Sequence, residues 1–124
     1  MDLSQIDLSL SDAGTKLELK DLDGKSFKEK AFITVKGLDS AEGRASTLKL
    51  RQKIVDAMKE ETKVEEDAGI ELLVDLTIGW EGIKNEGVAL EFTKDNCFQI
   101  YKNYLVVREQ VDKFVSNRKN FLKK

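Results

Sequence analysis

Few residue types in this sequence could do covalent or metal chemistry, and their spacing narrows the field further. Histidine is absent and Cys97 is the only cysteine. Without imidazole there is no Ser-His or Cys-His pair to activate a nucleophile, and no usual histidine metal site. One cysteine permits neither an internal disulfide nor a thiolate cluster. Cys97 falls on the apolar side of a helical pattern without a positive neighbour, where a small buried hydrophobe is expected instead of a nucleophile. Asp21-Leu22-Asp23-Gly24 resembles part of a calcium loop. In that frame, however, the first ligand would be Leu19 and the twelfth Lys30, where a bidentate glutamate belongs. A turn is the better reading. The acids between Glu60 and Asp67 imply no coordination geometry and read as a charged junction. The expectation is therefore no catalytic residue, no cofactor and no metal, in a protein that binds rather than catalyses.

Charge excludes further classes. The 21 basic and 23 acidic residues nearly balance, whereas a dedicated nucleic-acid binder carries a basic excess or stripe. Arg118, Lys119, Lys123 and Lys124 cluster at the end, where cations stabilise the negative end of a helix. Arg44, Lys49, Arg51, Lys53 and Lys59 read as a solvated helix face. No nucleic-acid partner is expected. No apolar run approaches the roughly 18 residues of a membrane span, and Met1-Asp2-Leu3-Ser4 lacks the regions of a signal peptide. Cytoplasmic residence, with Cys97 reduced, is the expectation.

Periodicity predicts one α+β domain over residues 1–124, mainly helical, with an N-terminal antiparallel β-hairpin. Residues 1–14 read as a loosely ordered arm that docks its apolar side chains on the body. Leucines alternate with charges over Lys16–Lys20, and Phe32-Ile33-Thr34-Val35 is β-branched and aromatic; joined through the Gly24 turn, they predict a hairpin within 15–36. A helical body is expected over 39–122. Its first helix, 39–60, opens with Asp39 as cap and Glu42 reaching back, and carries an apolar stripe of Ala41, Ala45, Leu48, Ile54, Val55 and Met58. A second helix is predicted over 68–78, stopped by Gly79. Extended pieces flank a turn at Asn85–Gly87. Thr93 caps a helix over 94–103, and a last helix runs over 106–121.

Several phrases, in order, resemble a family of small tail assembly chaperones from siphophages and prophages. They are the hairpin with its Gly24 turn and Val35-Lys36-Gly37-Leu38-Asp39-Ser40 followed by Arg44. Then come Thr77-Ile78-Gly79-Trp80-Glu81-Gly82-Ile83, Gly87 and Leu90-Glu91-Phe92-Thr93-Lys94-Asp95-Asn96. Tyr101, Val107-Arg108-Glu109-Gln110-Val111 and Asn120-Phe121 close the series. The similarity spans nearly the whole chain, departing where the family pattern has a proline and this chain has Val106. The resemblance implies a non-enzymatic protein in the cytoplasm of a bacterial host. Its implied partners are the long helical tape-measure protein, the tail tube protein and further copies of itself. The partner surface is expected to be apolar with a polar rim, with Trp80, Phe92, Tyr104 and Phe121 as partner-binding residues. Two other classes stay open: a structural tail or head-tail connector subunit retained in the virion, and a small phage regulator that binds nucleic acid, against which the acidic junction from Glu60 to Asp67 argues.

Overall fold

The period-two alternation does form a strand: β1 spans Thr15–Glu18 in the computed structural model, which describes residues 1–123. Lys124, counted in the basic end, lies outside the described residues. β1 pairs antiparallel with β2 (Phe32–Val35), Leu17 opposite Ile33, and this is the expected N-terminal hairpin. Between the strands, Asp21 Oδ1 accepts from the backbone N–H groups of Asp23 and Lys25, each at 2.9 Å. The Asp-Gly phrase is thus a turn whose carboxylate is occupied by its own backbone.

The second helix ends earlier than its periodicity suggests. α3 covers Glu66–Leu76, and Thr77–Glu81 forms β3, which pairs antiparallel with β2 in the order β1-β2-β3. Gly79 therefore sits inside a strand opposite Thr34, not at a helix end. The reason lies in β2. With Ile33 and Val35 fully buried, its second edge needs backbone partners away from water, and the β-branched Thr77 and Ile78 suit that role. The Lys94 ammonium completes the transition by donating to the carbonyls of Val74 (2.9 Å) and Thr77 (2.7 Å). The Val74 carbonyl also accepts from Thr77 N–H, so the last turn of α3 and the first residue of β3 are held by one side chain. The body over 39–122 thus contributes β3 to the sheet, and the extended pieces expected around Asn85–Gly87 form a small hairpin, β4 (Lys84–Asn85) and β5 (Val88–Ala89), turned at Glu86 and Gly87 with φ of 51° and 80°.

α2 (Ala41–Lys59) is capped by Ser40, one residue after the expected Asp39. The Ser40 hydroxyl accepts from Gly43 N–H at 3.0 Å and donates to the Gly37 carbonyl at 2.6 Å. Asp39 instead receives two hydrogen bonds from Arg118, and Glu42 pairs with Lys36. A Cβ at Gly43 would collide with the Gly37 and Leu38 carbonyls, so glycine lets the first turn of α2 lie on that backbone. The apolar stripe of α2 faces outward. Its buried residues are Gly43, Ser46 and Ala57, while Leu48, Ile54, Val55 and Met58 are exposed. Ser46 Oγ donates to Asp75 of α3 at 2.8 Å, and Lys53 pairs with Glu71. Small residues and polar bonds make the α2–α3 contact, which leaves the larger side chains without a place inside.

α4 covers Lys94–Asn103, with Thr93 Oγ1 accepting from Asn96 N–H, and α5 covers Leu105–Val115. Tyr104, at φ −120° and ψ 84°, breaks the two helices apart without a proline. The last helix stops at Val115 instead of reaching Phe121; Arg118–Phe121 is a 3₁₀ turn. Asn120 Nδ2 donates to the Phe114 carbonyl, and the Asn117 side chain accepts from Lys119 N–H, so polar side chains replace the helical ladder. The core joins Ile33, Val35, Ile70, Leu76, Tyr101, Val111 and Phe121.

Residues 1–14 are more ordered than the expected arm. They form a 3₁₀ turn (Leu3–Ile6) and α1 (Leu10–Ala13), and they are strapped down at two points. The Ser11 carbonyl accepts from Gly37 N–H at 3.0 Å and the Asp7 carbonyl from Lys123 N–H at 2.8 Å, with Leu8 and Leu10 against the core. Among the described residues no helix is long and apolar enough to cross a membrane.

Candidate functional site

The β4–β5 hairpin, the α4–α5 junction and the residue after β1 together enclose a groove of about 430 Å³. Its floor is apolar: Leu19, Ile83, Leu90, Ile100 and Val107. Its rim carries four carboxamides, Asn85, Asn96, Gln99 and Asn103, with Tyr104 at one end. The size falls in the range of small-molecule and side-chain pockets.

Each wall has a local cause. On α4, Asn96, Gln99 and Asn103 follow one another at helical spacing, so one polar edge of the helix borders the groove. The opposite wall is set by Trp80, whose indole N–H donates to the Leu90 carbonyl at 2.8 Å. Phe92 meets the Trp80 ring edge-on, with centroids 4.9 Å apart. Leu90 N–H donates to Ile83 O, closing the hairpin behind it. The floor at Leu19 is tied to α5 by Gln110. Its side-chain amide accepts from Lys20 N–H at 2.8 Å and donates to Lys20 O at 3.0 Å, mimicking a strand partner.

The four aromatic residues singled out from sequence thus part company. Tyr104 lines the groove and is 57% exposed. Trp80 and Phe92 are half-buried and brace the wall from behind. Phe121 is 1% exposed and packed edge-on against Phe114 at 5.6 Å, so it offers no surface to a partner. The sequence reading missed the carboxamide rim and Gln110, although Asn96, Gln99 and Asn103 recur at a visible helical period.

Electrostatically the groove is quiet. Lys84 is its one charged lining residue, and Glu29 pairs with it at 2.6 Å. Such a lining combines an apolar floor with carboxamides that carry both donors and acceptors.

Chemically reactive groups lie elsewhere, buried. Thr77 Oγ1 and Tyr101 Oη share a hydrogen bond at 2.7 Å, and Thr77 Oγ1 donates to the Leu73 carbonyl at 2.8 Å. Cys97 is fully buried beside them. Burial pushes its thiol above the usual range, against the smaller opposite pull of the Tyr101 and Thr77 hydroxyls. Burial likewise drives the Tyr101 phenol upward. A thiol that is both covered and protonated is inert. Native protein is expected to leave Cys97 unlabelled by a thiol reagent at neutral pH, with stoichiometric labelling once denaturant unfolds the chain. Rapid labelling of the folded protein would contradict this placement. Among the described residues, no group of three or more acids or cysteines is arranged to hold a metal ion. Compared with protein-family models, with curated proteins and with solved structures, the chain matches none.

Proposed function

We propose that this protein is a non-enzymatic phage tail assembly chaperone that reversibly holds apolar segments of the tape-measure protein and assists tail tube assembly. The observation that carries the reading is the groove at Tyr104, with its apolar floor and uncharged hydrogen-bonding rim. It supports capture of a helix or loop that presents two or three aliphatic side chains flanked by amides or hydroxyls. The order of family-like phrases along the chain supports the same role. A groove this small binds weakly by itself, and that suits the task. Several copies along one long partner multiply affinity while each contact stays easy to release. The protein is expected to act in the cytoplasm of the bacterial host, before the tube closes around the tape measure.

Co-expression tests it. With the tape-measure reading frame of the same locus, the protein should raise the soluble yield of that partner and co-purify with it. Equal solubility with and without the protein, and no complex, would end the chaperone reading. Presence of the chain in purified virions would then favour a structural tail subunit.

A further inference from the structure

A second surface lies on α2, away from the groove at Tyr104. Leu38, Asp39, Arg44, Leu48, Arg51 and Arg118 line a shallow groove of about 450 Å³. Asp39 is neutralised by the two-point contact from Arg118, at 2.8 and 3.1 Å. Arg44 and Arg51 make no ion pair among the described residues. Three guanidiniums against one carboxylate leave the groove with a net charge of +2. Leu48, 62% exposed, stands between the two unpaired arginines as an apolar seat.

The complement of this groove is on the same chain. After α2, Glu60, Glu61 and Glu65 are exposed and make no ion pair with any described residue, whereas Glu66 and Asp67 are taken by Arg108 and Lys102. With Lys63, the free acids leave residues 60–65 at −2, and Val64 offers an exposed apolar side chain among them. The groove lies along the first half of α2 and the acidic segment follows its C-terminal end. Even Arg51, the nearer arginine, is separated from Glu60 by about 14 Å along the helix at ~1.5 Å per residue, too far for an ion pair within one molecule.

We infer that the arginine groove of one copy receives the acidic 60–65 segment of the next, Val64 seated against Leu48 and Leu38. A contact between two different surfaces is head-to-tail and, unless it closes into a ring, open-ended. Its charge complementarity makes association salt-sensitive. The contact does not use the Tyr104 groove and stands whether or not the chaperone reading holds.

Sedimentation velocity over a concentration series at low and high salt tests it. The wild-type mass should grow past a dimer with concentration and fall back on adding salt. Arg44→Glu with Arg51→Glu, or Glu60→Lys with Glu65→Lys, should each leave a monomer with an unchanged melting curve. Mixed together, these two variants should assemble again, because the intact surface of each keeps its complement and the acidic groove of one now faces the basic segment of the other. Should a reversal unfold the chain, the neutral glutamine variants at the same positions replace it and should lower association at least tenfold. A wild type that stays monomeric, folded variants that assemble like it, or a mixture that does not assemble would each overturn the inference. Tyr104→Ala should leave self-association unchanged, which separates this contact from partner capture.

Discussion

Replacing Phe121 by alanine is expected to lower the unfolding free energy by about 3–5 kcal/mol, as large-to-small core substitutions do. Phe121 is fully buried, meets Phe114 edge-on, and lies against Gly37 and the docked N-terminal segment. Deleting the ring removes both its transfer free energy and the packing of three chain segments that are far apart in sequence. A domain of this size holds on the order of 5–15 kcal/mol in all, so the variant should be close to unfolding in urea titrations. Phe121→Leu, which refills much of the space, should cost substantially less. A change within about 0.5 kcal/mol, the usual effect at a surface site, would mean that the 3₁₀ turn does not pack as described.

Tyr104→Ala is expected to do the reverse: leave stability nearly unchanged while weakening tape-measure binding by about 2 kcal/mol, or roughly thirtyfold, the scale of an aromatic hot spot. The ring is 57% exposed, and its structural service is rendered by the backbone, whose carbonyl accepts from Val107 and Arg108 N–H. Alanine keeps those bonds. Calorimetry with a soluble tape-measure fragment and a parallel melting curve measure both effects. Unaltered affinity would remove the Tyr104 groove from the proposed interface. A large drop in melting temperature would show the residue to be structural. Trp80→Phe should lie between the two: it forfeits the hydrogen bond to Leu90 O and loosens the groove wall, so affinity and stability both decline modestly.

Local chemistry was legible wherever the signal was local. The hairpin, the Asp-Gly turn, the Thr93 cap and the span of α4 follow from periodicity and capping within a few residues of each element. The absence of histidine and the lone Cys97 are plain in the sequence itself. The apolar stripe of α2 was also legible, but not its direction. A stripe shows that one face is greasy, and only the packing of Ser46 and Ala57 on α3 reveals that this face looks outward.

Where the sequence reading failed, distant partners had decided the outcome. Thr77 and Ile78 fit the helical spacing of α3, yet β2 offers them a ladder from more than forty residues away. Ser40 displaced Asp39 as cap because Arg118, near the other end of the chain, holds that carboxylate. Phe121 and Tyr104 are both aromatic residues on or beside a helix end, and composition cannot tell a core ring from an interface ring. By itself the sequence determined which short segments are helical or extended and which reactive residue types the chain has to work with, because those depend on side-chain type and near neighbours. The tertiary structure alone decided which apolar residues are enclosed and which charges are paired. It also gathered four carboxamides and five aliphatic residues into one groove, since each of these outcomes depends on contacts between segments far apart in the chain.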